Sequence, residues 1–248
     1  MEVGFSQRVR LEWLQQTAQA FLAGETREQI QATLQELLRD QLSVGGTAER
    51  GNREKAITIL LKIWVSVPTH LEALRNDGLD LLKRLPVHDH LAVHWGMTLA
   101  IYPFFGVVAD NVGRLLRLQG SATAAQVQRR VREQLGERET VARAARRVLR
   151  CFVDWEVLQE STEKGGYQGA PPRPVQNTAL TAWLIEAVLT ASGVQAGTLG
   201  GITQSPALFP FALESFNTAT VESRTRLEVF RQGLDETMVT LRSDGVAR

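Results

Sequence analysis

Ten arginines lie between residues 112 and 150, a segment with no lysine, no aspartate and only three glutamates. The net charge of this segment is +7, whereas the rest of the chain, with 18 basic and 24 acidic residues, carries −6. Guanidinium groups bind phosphate and guanine through pairs of hydrogen bonds, a geometry that lysine cannot supply. The concentration of arginine predicts a surface that binds nucleic acid.

Five of these arginines belong to the stretch RETVARAARRVLRCFVDWEVLQ, residues 138–159. On a helix, its apolar side chains share one face, and the opposite face carries Arg143, Arg146, Arg147 and Arg150. The span from the first to the last of them is about 10 Å, which suits a major groove about 12 Å wide. We predict that these four side chains enter or border the groove; the alternative is a solvated basic face neutralised by glutamates at the helix ends.

The residues around this helix predict the order of a winged helix-turn-helix. A helix over about 105–118 ends at Gly120, Thr123 can cap a second helix that ends at Gly136, and a short strand over 157–159 precedes a turn. The second helix would cross the DNA backbone, so the predicted phosphate contacts are Arg129, Arg130, Arg132 and Arg138. Lys164 and Tyr167 would place a cation and an aromatic ring on the wing.

Other residues that could do chemistry give weaker signals. His90 and His94 are four residues apart, as in a zinc-binding pair, but the HExxH pattern and a clear third ligand are missing, which favours partly buried histidines. Cys151 lies beside Phe152 on the flank of the predicted helix and is predicted to pack in a core. No phosphate-binding glycine loop and no nucleophile with a base are evident, so we predict no catalytic residue, no metal and no cofactor.

Along the first hundred residues, apolar periodicity predicts helices over 5–23, 26–42, 53–66, 69–84 and 88–101. The predicted fold is mainly α: a helical bundle over 1–103, the winged helix-turn-helix over 104–168, and a proline-rich linker over 169–177. A small α+β C-terminal region over 178–248 would contain a helix over 178–192 and end in a β-hairpin from about Arg224 to Leu241. The segment SPALFPF, 205–211, is predicted to plug the core, with a partner anchor as the alternative.

Cysteine usage and hydropathy predict where the protein works. A single cysteine excludes an intramolecular disulfide, and no window approaches the roughly 18 apolar residues of a membrane span. The N-terminal sequence lacks the basic start and apolar run of a signal peptide. We therefore expect a cytoplasmic protein with no membrane partner.

The layout over about 8–165, with phrases such as LLRDQL and RRVLRCFVDWEVL, resembles the BrxA-like family of bacteriophage-exclusion (BREX) systems. That resemblance implies a NusB-like bundle in a non-enzymatic, DNA-binding component of a bacterial anti-phage assembly, with other subunits as partners. The predicted function is therefore non-catalytic binding of double-stranded DNA. The alternatives are a scaffold subunit whose winged helix binds an acidic protein, and a NusB-like RNA-binding protein.

Overall fold

In the computed structural model, the described residues are 3–42, 51–214, 226–232 and 236–242, and they form a mainly helical protein with three small sheets. The predicted helices of the first hundred residues are confirmed, and they are α1 (Leu11–Leu22), α2 (Arg27–Leu37), α3 (Asn52–Trp64), α4 (Glu72–Arg84) and α5 (His90–Ile101). The predicted capping box at Thr26 is present, because its hydroxyl accepts the Gln29 N–H while the Gln29 side chain accepts the Thr26 N–H. Most of the predicted loop 43–52 lies outside the described residues.

The first helix begins later than its apolar pattern predicts. Residues 5–10 are not helical, and the ordered helix starts at Leu11. Phe5 and Val9 are nevertheless fully buried, because this segment packs against other elements instead of continuing α1. A pattern of buried side chains alone does not distinguish these two outcomes.

Helix α5 lies at the centre of the structure, and all twelve of its residues are buried. All five tryptophans are at most 2% exposed, so their prediction as core residues is confirmed. Trp95 of α5 packs on Phe105, Phe152 and Trp155, with ring centroids 4.9 to 5.9 Å apart. The core of the first hundred residues is thus continuous with that of the following segment.

The segment after α5 alternates helices with three short strands. Its elements are α6 (Pro103–Gln119), β1 (Ser121–Thr123), α7 (Ala124–Leu135), α8 (Glu139–Asp154), β2 (Leu158–Glu160) and β3 (Gly166–Gly169). The strands form an antiparallel sheet in the order β1-β3-β2, with Tyr167 of β3 between Ala122 and Glu160. Thr123 caps α7 through a second capping box, and a three-residue turn at 136–138 joins α7 to α8.

Residues 169–177, which the sequence predicts to be a proline-rich linker, are packed into the structure. They contain β4 (Arg173–Val175), which pairs in parallel with β6 (Phe211–Leu213), and Val175 is buried. The pair tolerates Pro174 because its hydrogen bonds use the Arg173 N–H and the Val175 carbonyl, not the missing proline N–H. A proline-rich sequence is therefore part of the packed structure here.

The C-terminal region contains α9 (Thr178–Ser192), β5 (Ala196–Thr198), α10 (Leu199–Thr203), β7 (Leu227–Gln232) and β8 (Glu236–Leu241). Strands β7 and β8 form the predicted antiparallel hairpin, whose turn and predicted start at Arg224 lie outside the described residues. Strand β5, which the sequence did not predict, pairs with the other edge of β8. A second, smaller core joins this sheet to α9.

Arg226 and the segment SPALFPF are among the contacts that join the C-terminal region to the helices. Arg226 bridges Glu186 of α9 and Asp77 of α4, at 2.8 and 3.1 Å. The segment SPALFPF plugs the core as predicted, since Leu208 and Phe211 are buried and the Trp95 indole N–H donates to the Ala207 carbonyl at 3.0 Å.

Among the described residues, no single helix is long and apolar enough to cross a membrane, and two helix pairs reach that length only across bends of 60° and 118°.

Candidate nucleic-acid interface

Helix α8 is held in place by its apolar face, as its sequence predicts. Val141, Ala145, Val148, Phe152 and Trp155 are all buried. Phe152 packs against Trp95 of α5 and Phe105 of α6, with centroids 4.9 and 5.2 Å away. These contacts fix the rotation of α8 about its own axis, and so they decide which side chains face outwards.

The outward face of α8 carries three exposed arginines. Arg143 lies 3.9 Å from Glu139 of the same helix, and Arg150 forms an ion pair with Glu160 of β2. Arg146 has no ion pair or hydrogen bond to any residue that the structure describes. Because exposed ion pairs contribute little to stability, all three guanidinium groups are available to an external anion.

Arg147, the fourth arginine predicted to face the groove, has another role. It is half-buried, and its guanidinium donates a hydrogen bond to the carbonyl of Ser6. Burial lowers the pKa of this guanidinium, and the neighbouring charge of Arg143 adds to that effect. Arg147 therefore does not face outwards with the other three arginines, because a residue 141 positions earlier occupies the side of the helix that it faces.

Residues 6–9 lie along the C-terminal half of α8. Arg8 forms an ion pair with Asp154, the Val9 N–H donates to Cys151 Sγ at 3.2 Å, and the Trp155 indole N–H donates to the Val9 carbonyl at 3.0 Å. We call this the N-terminal strap. It covers one side of the last two turns of α8 and leaves the first two turns open.

The three candidate arginines of α7 point in two directions. Arg132 lies 3.4 Å from Glu137 in the turn before α8, and Arg129 lies 3.7 Å from Glu133 on the solvent face. Arg130 is instead on the side of α6, because the glutamines one turn before and after it hydrogen-bond to α6 residues. These two glutamines are Gln126, which contacts Gln119, and Gln134, which contacts Asn111. Arg130 therefore does not join the surface formed by the other arginines.

The loop between β2 and β3, residues 161–165, lies beside α8. The ion pair between Arg150 and Glu160 shows that the loop begins next to the fourth turn of the helix. Lys164 is exposed in the loop, as predicted, and Arg138 is exposed at the N-cap of α8. Tyr167 is only 5% exposed, so the prediction that its ring is displayed on the wing is wrong. Tyr167 lies on the central strand β3, and its side chain packs into the core.

The surface from α7 to this loop is the arginine face, defined by the exposed Arg129, Arg138, Arg143, Arg146, Arg150 and Lys164 together with the half-buried Arg132. Its charge is not uniform, because glutamates are interleaved with the cations. Four carboxylates, those of Glu133, Glu137, Glu139 and Glu160, each lie within 4 Å of one of these arginines. The face is therefore positive overall, but each carboxylate weakens its attraction for a generic polyanion.

Three of the four ring nitrogens of the histidine pair of α5 contact protein acceptors, and the buried His94 Nδ1 has no hydrogen-bond partner among the described residues. One oxygen of Gln15 from α1 lies 2.9 Å from both His90 Nδ1 and His94 Nε2, and the second nitrogen of His90 lies 3.1 Å from the Leu85 carbonyl. His94 is fully buried, and burial lowers its pKa to about 3, so it is neutral at physiological pH. No group of metal-ligand side chains is present among the described residues. The pair borders a cavity of about 610 Å³ that the N-terminal strap also lines.

Cys151 packs in the core, as predicted. It is fully buried, and burial raises the pKa of its thiol to about 12, so the thiolate form is negligible at neutral pH. The Val9 N–H is its hydrogen-bond donor. The contacts of Cys151 therefore assign it to the fold and not to nucleophilic chemistry.

Sequence reasoning predicted glutamates at the ends of α8 as partners of the basic face, but it missed the N-terminal strap and two other carboxylates, Glu133 and Glu160. The strap had no local signal, because its partners are more than 140 residues away. Glu133 was visible four residues from Arg129, whereas Glu160 is brought to Arg150 only by the sheet. In comparisons with known proteins, the chain matches no protein-family model, no curated protein and no solved structure.

Proposed function

We propose that residues 103–169 form a winged helix-turn-helix that binds double-stranded DNA, with α8 as its recognition helix. The order of elements supports this proposal: a helix, a strand, two helices joined by a three-residue turn, and a hairpin whose returning strand β3 is central in the sheet. In such domains the second helix of the pair lies in the major groove, and the first crosses the backbone.

The observation that carries the proposal is the exposed arginine row of α8. Arg143, Arg146 and Arg150 span seven residues, about 10 Å along the helix axis, and all three side chains are exposed. Their side chains can reach the acceptors of guanine or the phosphates that border a groove of about 12 Å. A face needed only for solubility would not require arginine at every one of these positions.

The remaining cations of the arginine face are placed to hold the DNA backbone. Arg129 and Arg132 extend from α7, Arg138 lies at the start of α8, and Lys164 is exposed in the loop between β2 and β3. If about five cations of the whole arginine face meet phosphates, log affinity should fall against log salt concentration with a slope of about −4 to −5. Arg130 and Arg147 are left out of this surface because of the contacts described above.

We also propose that the protein acts without catalysis, within a bacterial anti-phage assembly that supplies its protein partners. The basis for this part is the resemblance of sequence layout to the BrxA-like family. The arginine face uses only part of the surface, so other subunits could bind elsewhere.

A gel-shift experiment tests DNA binding directly. Duplex DNA, single-stranded DNA and RNA of equal length are titrated at two salt concentrations with wild type and with a variant carrying Arg143→Glu, Arg146→Glu and Arg150→Glu. A control variant reverses the same amount of charge at three exposed arginines far from α8, namely Arg27, Arg39 and Arg84. Because each arginine contact contributes about 1 to 3 kcal/mol, the first variant should lose at least about 100-fold in duplex affinity.

The control variant should lose much less, since it changes net charge but not the proposed contact surface. Equal losses in the two variants, or no duplex binding by wild type at the lower salt concentration, would contradict the proposal. Preference for RNA would favour the NusB-like alternative, and no binding to any nucleic acid would favour an acidic protein partner.

A further inference from the structure

We infer that Glu139 makes the DNA interaction sequence-selective, by accepting a hydrogen bond from the amino group of a cytosine in the major groove. This inference rests on the proposed function and adds the base that the site selects. It starts from the position of Glu139, which is the first residue of α8.

The first turn of α8 is the end that can enter a groove. The N-terminal strap covers one side of the last two turns through Cys151, Asp154 and Trp155, and β2 lies against Arg150. No described residue from another element contacts the exposed side chains of Glu139 and Thr140. Recognition helices contact base edges with their N-terminal residues, so these two side chains would be nearest the bases.

Glu139 is free to change partners. Its side chain is 72% exposed, and its ion pair with Arg143 has an N–O distance of 3.9 Å. The N-cap of α8 is Arg138, which makes no side-chain cap hydrogen bond, so Glu139 does not belong to a capping box. A carboxylate in the first turn does interact favourably with the helix dipole, and that interaction persists when the carboxylate also accepts a hydrogen bond from a base.

The chemistry of a carboxylate in the groove restricts its partner. Near phosphates Glu139 would be repelled, and guanine offers only acceptors at its major-groove edge. Adenine places the N7 acceptor beside its amino group, whereas cytosine presents the N4 amino group without a neighbouring acceptor. Arg143, one turn further along α8, would then contact a guanine of the same or the next base pair, because the two side chains already lie side by side.

The test begins with selection of preferred sites from a randomised duplex pool by wild type, Glu139→Gln and Glu133→Gln. Glu133→Gln is the matched control, since Glu133 also lies four residues from its arginine, Arg129, but on α7. Affinities are then measured for four duplexes that differ at a single selected base pair. Thermal melting checks that all three proteins are folded.

Wild type should favour C·G at one position by about 5-fold or more. Glu139→Gln should transfer that preference to A·T, because a glutamine amide pairs with the N6 and N7 of adenine. Glu133→Gln should keep the wild-type preference while binding all four duplexes more tightly.

Three results overturn the inference. If wild type binds duplexes without base preference, or if Glu139→Gln retains the cytosine preference, Glu139 is not the selecting residue although DNA binding stands. If wild type selects no duplex at all, the proposed function fails as well.

Discussion

Helices α5 and α8 pack against the same aromatic cluster, but they differ in what surrounds them. All of α5 is buried, whereas α8 exposes one face along its length. The polar side chains of α5 face protein atoms, as when Gln15 bridges His90 and His94. Those of α8 face solvent, and Arg146 meets no described partner. The same residue classes therefore stabilise the fold in one helix and are available for binding in the other.

This difference separates two kinds of side chain that look alike in the sequence. A histidine pair at a spacing of four residues and an arginine row at a spacing of three to four are both typical of binding sites. Burial decides between them, because a buried polar group must be satisfied within the protein. We expect variants in α5 to change stability alone, and variants on the exposed face of α8 to change DNA binding alone.

The largest effect should come from Trp95→Ala in α5. The indole packs on five aromatic rings and donates to the Ala207 carbonyl, and none of it is exposed. Its removal should reduce the free energy of unfolding by about 3 to 5 kcal/mol, measured by urea denaturation. Arg146→Ala should change this quantity by no more than about 0.5 kcal/mol. A loss below about 1 kcal/mol for Trp95→Ala would show that α5 is not the centre of the core.

The next effect is a loss of stability in acid caused by His94. Since burial lowers its pKa from 6.5 to about 3, the folded protein leaves His94 neutral where the unfolded chain protonates it. Stability should therefore be complete above about pH 6.5 and fall as the pH decreases towards 3, by about 2 kcal/mol at pH 5. His94→Leu should remove this part of the pH dependence, while His70→Gln, at an exposed position, should retain it. Equal pH profiles for His94→Leu and wild type would refute the assignment.

A smaller effect should distinguish a tightly packed helix from a loosely packed one. A Cβ at Gly96 of α5 would lie 2.4 Å from the Trp183 ring, and that ring is held by its hydrogen bond to the Leu74 carbonyl. Gly96→Ala should cost about 1 to 2 kcal/mol, because overpacking exceeds the gain in helix propensity. At Gly106 of α6 the nearest atom would be 3.4 Å away, so Gly106→Ala should be neutral or stabilising. Thermal denaturation of both variants measures the difference, and the reverse ranking would contradict it.

The smallest effect concerns two adjacent arginines of α8. Arg147→Ala removes the hydrogen bond to the Ser6 carbonyl and should cost about 1 kcal/mol of stability with a minor change in duplex affinity. Arg146→Ala should do the opposite, leaving stability unchanged and weakening DNA binding. If both variants behave alike in denaturation and in gel shifts, the comparison between covered and open faces of α8 is wrong.

Local sequence signals predicted much of the fold. The glycines at 120 and 136 and the cap at Thr123 delimited the helices around α7, and apolar periodicity assigned the buried face of α8. The β7–β8 hairpin followed from alternation in the same way. These features depend on interactions within a few residues along the chain, which is why one sequence sufficed.

The features that the sequence did not predict depend on contacts between residues far apart in the chain. Arg147 is half-buried only because Ser6 lies beside it, and Tyr167 is buried only because β3 is the central strand. Strand β4 was read as a linker since its partner β6 is almost forty residues later. For the arginine face, the sequence identified the residues but not which of them share a surface, as Arg130 illustrates.

The N-terminal strap has a consequence for the order of events during folding. Val9 and Trp155 are 146 residues apart, so the N-terminal strap can pack against α8 only after the segment around residue 155 has been synthesised. Contacts of such long range slow folding, although the entropic cost of closing a loop rises only weakly with its length. Helix α8 can fold locally, but its C-terminal half is fastened only when the two distant segments meet. The surface proposed to bind DNA therefore becomes fully supported late, after both segments have been synthesised.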